Sequence, residues 1–352
     1  MSSILSDRVQ KVKPSATMAV SDKAKELKSQ GIQIVSMGSG EPDFDTPANI
    51  QKAAVKAIGA GETRYTPADG TPELKKAICE KFKRENGLDY SATEVMVSCG
   101  GKQVFYNLCQ AILNEGDEVI IPTPYWVSYP DMAILADATP VFIEAGLDQD
   151  FKITPDQLEA SITPKSKLFV LNSPSNPTGS VYSRSEIVAL GEVLERHPHV
   201  LTISDDIYEH IRWGEDDFVN IAMACPNLKE RVVILNGVSK AYAMTGWRIG
   251  YAAGPEAVIK AMKKIQGQST SNPSSISQAA ALEAITGDQS FISMMVEAFE
   301  RRHEFLVTSL NEIDGIECPR SGGAFYSFPK VQGLIQRLGL KDDVEFSTFC
   351  LE

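Results

Sequence analysis

Apolar residues recur along this chain in short uninterrupted runs, and the stretches between them carry a helical period. The runs at Glu94–Ser98, Glu118–Ile121, Thr139–Ile143, Lys167–Leu171, Leu201–Ser204 and Arg231–Leu235 are continuous rather than alternating. That is the pattern of strands covered on both faces. Between them, helices are expected over Gln103–Leu113, Trp126–Ala136, Thr154–Ala160 and Arg184–His197. Upstream, a helix over Ser21–Ser29 stops at Gly31 and leads to a short strand over Ile32–Met37. Thr46-Pro47 and Thr71-Pro72 then open helices running to Ile58 and Glu85, with proline in the first turn. Downstream, Arg231–Gly254 reads as strand, loop and returning strand. Helices over Ser275–Thr286 and Asp288–Glu312 follow, then strand-like I-E-C-P and G-G-A-F-Y-S-F and a short helical end. Alternation of this kind predicts an α/β protein with a mostly parallel sheet and helices on both faces.

Composition narrows the class. The 352 residues are 43% hydrophobic and 23% charged, ordinary values for a globular chain with a sizeable core. A net charge of -12 argues against nucleic acid as a partner. No apolar stretch reaches the length of a membrane span, and the first residues hold no signal core, so residence in the cytoplasm is expected. The six cysteines are scattered without a C-x-x-C, and the four histidines stand at no ligand spacing. No metal site is expected, and the thiols read as free.

In a sheet of this kind, ligands sit at the carboxyl ends of strands. Several predicted strands end in residues able to do chemistry: Tyr125-Trp126, the segment N-S-P-S-N-P-T-G from Asn172, Asp205-Asp206, and Lys240. Gly100-Gly101-Lys102 between a strand and a helix can hold an anion through backbone N–H groups and the helix dipole. A lysine at the mouth of a sheet loses hydration and becomes a nucleophile, and an arginine such as Arg248 can grip an anion in a forked geometry. A solvated loop with two unrelated basic residues is the plain alternative for Lys240 and Arg248. Taken together, a Schiff-base lysine, an acidic partner for a ring nitrogen, an aromatic face and an anion cradle form the set that pyridoxal phosphate requires. Asp205 and Asp206 are not distinguished at this level.

The chain resembles the class I and II aminotransferases of the pyridoxal phosphate fold-type I family, in particular the bacterial aspartate and aspartate/prephenate enzymes. The matching stretches are V-K-P-S-A-T, G-E-P-D-F-D-T-P, R-Y-T-P-A-D-G, G-G-K-Q, P-Y-W-V-S-Y-P, N-S-P-S-N-P-T-G, S-D-D-I-Y-E-H and S-K-A-Y-A-M-T-G-W-R-I-G-Y, in family order. The resemblance implies a seven-stranded, mostly parallel sheet in a large cofactor-binding domain over residues 46–290. A smaller α+β domain would be built from both termini, an arm and first part in 1–45 and a C-terminally incomplete part in 291–352.

The resemblance also implies roles. Lys240 is the Schiff-base lysine and general base, Asp205 pairs with the ring nitrogen, and Tyr208 and Asn176 bind the ring hydroxyl. Trp126 stacks on the ring. Gly100, Gly101, Lys102 and Arg248 bind the phosphate, joined by Tyr65 from the partner subunit of a homodimer. Gly40, Trp126 and Asn176 meet the substrate carboxylate, and Lys13, Thr17 and Lys102 match positions tied to side-chain carboxylate recognition. The implied reaction moves the amino group of L-aspartate or glutamate to 2-oxoglutarate and extends to prephenate. An aromatic or alanine-type preference, or cofactor binding with little turnover, are the alternatives. Two departures stand out. Gly237 replaces the hydroxyl residue that relatives carry three positions before the lysine, so only its backbone could serve the phosphate. The arginine that clamps the substrate α-carboxylate in relatives lies in an R-L-S-Y-A-like strand beyond Glu352, so either the sequence is a fragment of a longer protein or normal substrate grip is lacking.

Overall fold

The continuous apolar runs pair into one sheet of seven strands: β1 (Val95–Ser98), β2 (Glu118–Thr123), β3 (Thr139–Glu144), β4 (Ser166–Asn172), β5 (Leu201–Asp205), β6 (Val232–Gly237) and β7 (Gly250–Ala253). Their order across the sheet is β1-β7-β6-β5-β4-β2-β3. All neighbours are parallel except β7, which runs antiparallel to both β6 and β1. The expected mostly parallel, seven-stranded α/β sheet is therefore observed. The computed structural model describes residues 4–12, 16–35, 37–38, 40–214 and 216–352.

Successive strand residues feed two cores, which is why the runs look continuous in sequence. Val95, Ile120, Phe169, Val232, Ile234 and Tyr251 face one core, together with Leu74, Ile78 and Phe82 of the helix Pro72–Asn86. Met96, Val119, Leu168, Val170, Val233 and Ala252 face the other, against Val104 and Leu108 of the helix Gly101–Ile112. Slipping one of the inner strands by one residue would swap its two faces between differently shaped cores, so their register is strongly specified.

The helix Pro72–Asn86 shows how local signals fix these elements. Thr71 accepts a hydrogen bond from the Leu74 N–H, proline occupies the first turn, and Gly87 stops the helix in the left-handed region at φ 65°.

Three expectations need correction. Residues 32–35 and 37 form no strand, because no neighbouring strand offers them a ladder among the described residues. The I-E-C-P and G-G-A-F-Y-S-F segments form only isolated bridges, Glu317 with Lys330 and Gly323 with Arg212. The helix expected from Trp126 begins at Ser128, which leaves Trp126 in the turn before it.

The helix Ser290–Asn311 buries Met295, Phe299, His303 and Val307 on one face. Its Arg302 pairs with Asp43 at 2.8 Å and lies over the Phe44 ring, tying residues near both ends of the chain together. The six cysteines carry no disulfide. Among the described residues, no helix is long and apolar enough to cross a membrane.

Candidate active site

Because β7 is the single reversed strand, β1, β2, β4, β5 and β6 all present their carboxyl ends to the same edge. The loops leaving those ends enclose a cleft of about 330 Å³. Lys240 stands on the segment after β6, and its ammonium donates to the Gly40 carbonyl. It lies 5.7 Å from the centre of the Phe325 ring and 5.8 Å from that of Tyr208. Burial pulls its pKa down to about 8, helped by Arg248 and opposed by Glu41 and Asp205. A lysine in this state supplies neutral amine close to physiological pH.

Asp205 ends β5 and is buried on the floor of the cleft. The Tyr129 hydroxyl donates to its Oδ2 at 2.6 Å, and the Ile207 N–H to its Oδ1 at 3.3 Å. Burial pushes its carboxyl up to about 6, while those two donors and Lys240 pull the other way. The neighbouring Asp206 behaves differently. It accepts from Ser204 and Asn220 at 2.6 Å each and does not line the cleft. The geometry thus separates two acids that sequence leaves equivalent.

Tyr208 projects into the same space. Its hydroxyl lies 2.5 Å from that of Tyr326 and meets the Asn176 side chain. Asn172, the last residue of β4, donates to the Asp205 carbonyl at 2.9 Å and accepts the Asn176 N–H at 2.8 Å. That bracket fixes the N-S-P-S-N-P-T-G loop against the end of β5.

The candidate anion cradle lies at the start of the helix Gly101–Ile112. Arg248 is anchored by donating to the Thr245 carbonyl at 2.8 Å and the Cys99 carbonyl at 3.4 Å. Gly100 holds φ 88°, and a Cβ there would run into the Arg248 guanidinium. A Cβ on Gly250 would press on the Gly100-Gly101 backbone from the other side. Both glycines permit a close approach that no other residue would. Lys102 lies 5.2 Å above the Trp126 ring, and that ring meets Tyr129 edge to face at 5.2 Å.

Of the residues expected from sequence, Gly40, Gly101, Lys102, Trp126, Asn176, Asp205, Tyr208, Lys240 and Arg248 line this cleft. Gly100 does not: its N–H donates to Ser98, so its contribution is the side chain it lacks. The Gly237 N–H is likewise taken, by Asn236 Oδ1 at 2.7 Å. Tyr65 is 91% exposed and stands outside the cleft of its own chain. Lys13 lies outside the described residues. Thr17 falls in the helix Ala16–Ser29, with its side chain outside them. Residues not anticipated are Glu41, Tyr129, Asn172 and Tyr326. The first three sit inside motifs already noticed, but Tyr326 is 118 positions from Tyr208 and carries no local signal.

The Aminotransferase class I and II family model matches residues 32–351. The chain belongs to this aminotransferase family. The aspartate/prephenate aminotransferase of Cereibacter sphaeroides is 56% identical over 99% of this chain and 88% of its own length. That of Nitrosomonas europaea is 56% identical over 99% and 89%. Among solved structures, the aspartate aminotransferase of Rhizobium meliloti superposes with a TM-score of 0.91 at 50% identity, covering 94% of this chain and 82% of that one. The Thermus thermophilus aspartate aminotransferase solved with maleate gives 0.88 at 45% identity, covering 92% and 84%. As an aminotransferase, this chain folds as its relatives do.

Proposed function

We propose that the protein is a pyridoxal phosphate-dependent aspartate aminotransferase, moving the amino group of L-aspartate or glutamate to 2-oxoglutarate, with prephenate as a further acceptor. One observation carries the reading. A partly desolvated lysine, a buried carboxylate and an anion cradle converge on one cleft of ligand size. The names of the relatives supply aspartate and prephenate, and the family resemblance supplies glutamate and 2-oxoglutarate.

The residues fit the cofactor. Gly100 and Gly250 let Arg248 and the start of the helix Gly101–Ile112 close up against each other, and a phosphate would be held there by the Gly101 N–H, Lys102 and Arg248, all of which line the cleft. Trp126 offers a ring face, and Tyr208 with Asn176 offers polar groups for a ring hydroxyl. Asp205, its carboxylate supported by Tyr129, would keep a ring nitrogen protonated. When bound, pyridoxal phosphate accepts the electrons released as the substrate Cα loses its proton.

Lys240 carries that proton. Its lowered pKa makes it a base near neutrality, and its side chain lines the cleft that would hold the substrate. Gly40, Trp126 and Asn176 would meet the substrate carboxylate, and Lys102, Lys13 and Thr17 a side-chain carboxylate. Departure of the first oxo acid before entry of the second makes the kinetics ping-pong. The enzyme would act in the cytoplasm as a homodimer, with the partner's Tyr65 completing each phosphate site. Residues 46–290 would form its cofactor-binding domain, with 1–45 and 291–352 in the smaller one.

Replacing Lys240 by Ala should abolish both the visible absorbance of the cofactor-loaded protein and its turnover. Transamination surviving in that variant would reject the assignment. A screen of amino donors separates this reading from an aromatic or alanine-type preference, which would show as turnover faster than with aspartate.

A further inference from the structure

Outside the cleft, the described residues hold a second concentration of charge. Lys81, on the helix Pro72–Asn86, is wholly buried, and its ammonium contacts the Glu209 carboxylate. It also donates to Asn86 Oδ1 at 2.9 Å and lies 3.4 Å from Glu85. Glu209 in turn accepts from Asn86 at 3.1 Å and from Asn236 at 2.8 Å. Glu85, Glu209 and His210 bring ligand atoms within 4.8 Å of one another, a spacing that suggests a metal. Here, however, the cation among the carboxylates is the Lys81 ammonium, and a metal would have to displace it.

The covalent neighbours of these residues give the cluster its meaning. Glu209 directly follows Tyr208, which lines the cleft. Asn236 accepts the Gly237 N–H at 2.7 Å on the last residue of β6, from which the chain passes to Lys240. A single carboxylate therefore ties a helix to the two segments that carry Tyr208 and Lys240. We propose that the buried Lys81–Glu209 pair, with Asn86 and Asn236, is the positioning frame that holds Tyr208 and the Lys240 segment in register over the cleft.

Stability alone gives little reason for such a pair. Desolvating two charges costs several kcal/mol per ion, and well-packed apolar residues of similar volume often serve as well or better. Hydrogen bonds to a fixed carboxylate do what apolar packing does not: they set direction, and besides Lys81 the hydrogen-bond donors to Glu209 are the side-chain amides of Asn86 and Asn236, with His210 Nδ1 at 3.7 Å. Charge on Glu209 is maintained. Burial alone would raise its pKa, but the charges of Lys81 and His210 and the hydrogen bonds outweigh it, and the carboxyl sits below its ordinary value.

The inference rests on the cofactor reading above, and the wild-type protein tests that part separately: absence of a cofactor absorbance band would fail the reading, not the frame. The frame is tested in cofactor-loaded protein with Lys81→Met, Lys81→Met/Glu209→Leu and Asn236→Ala. Lys81→Met strands a buried carboxylate and should lower Tm, whereas the double variant should recover it. Even so, the double variant should lose about tenfold to a hundredfold in kcat with KM little changed, the scale of a small misplacement of catalytic groups. The pKa of its absorbance band should move by about half a unit or more, since the groups around the chromophore have shifted. Asn236→Ala cuts only the arm to β6 and should move the same two readouts, which keeps the test open should the double variant fail to fold. Wild-type kcat and spectral pKa in either folded variant overturn the proposal.

Discussion

Asp205 shows how one side chain is poised by opposing effects of similar size. Burial raises its carboxyl to about 6 from an ordinary value of 3.8, despite two donors and a nearby lysine. In the cofactor-free protein the folded state therefore keeps a proton that the unfolded chain releases. Between pH 3.8 and about 6 this lowers stability as pH rises, by about 3 kcal/mol in total at 1.36 kcal/mol per pKa unit. Tyr129→Phe removes the 2.6 Å donor that favours the ionised form. The Asp205 titration in cofactor-free protein should then move above 6, as followed by carboxyl NMR. An unmoved midpoint would show that Tyr129 does not tune this acid. Lys240 has the opposite sign. Its depressed pKa penalises folding below about 8, and that penalty fades as pH rises towards 10.5. Lys240 and Arg248 could be picked out from a strand–loop–strand pattern because their chemistry is local. Asp205 could not be separated from Asp206 by pattern, since the choice depends on which carboxylate meets Tyr129 and which meets Ser204 and Asn220.

Among elements, the join between β1 and the helix Gly101–Ile112 does most to define the anion cradle. The sequence showed two glycines between a strand and a helix, and the geometry gives them different duties. Gly101 faces the cleft, while Gly100 makes room for Arg248. Gly100→Ala should combine a left-handed backbone penalty of about 1–3 kcal/mol with displacement of the guanidinium. Its expected signature is a lower Tm together with cofactor affinity weakened about tenfold, equivalent to about 1.4 kcal/mol. Wild-type affinity measured by absorbance titration would mean that Arg248 is not needed where it stands. The inner strands of the sheet were legible because both of their faces are buried, which leaves runs such as Val232–Leu235 unbroken. Residues 32–35 and 37 have the same apolar look but no partner strand among the described residues, and propensity without a ladder does not make a strand. Tyr326 was invisible for a related reason: its importance comes from tertiary contact alone.

At the scale of the whole molecule, the exposure of Tyr65 is the feature that bears on assembly. A large aromatic 91% exposed and outside its own cleft is what a shared active site would require. Tyr65→Ala and Lys240→Ala proteins, each impaired alone, should complement when refolded together. In the proposed homodimer, random pairing would give mixed dimers in which one of two sites is intact, so activity should return to about a quarter of wild type. Mixtures no more active than their components would place Tyr65 outside the reaction.

The lone reversed strand has a consequence for the order in which the molecule is made. Pairing of β6 with β7 brings Gly237 against Gly250 across a short loop, a contact that closes quickly. Pairing of β1 with β7 sets Val95 against Ala253, and the chain between them must already be laid down before that edge can be sealed. The β6–β7 pair can thus form with Lys240, Arg248 and Gly250 together before Gly100 and Gly101 are brought against it. An anion held by Lys240 and Arg248 at that stage would favour the last strand's docking by mass action, so the ligand would serve as a seal on the finished fold.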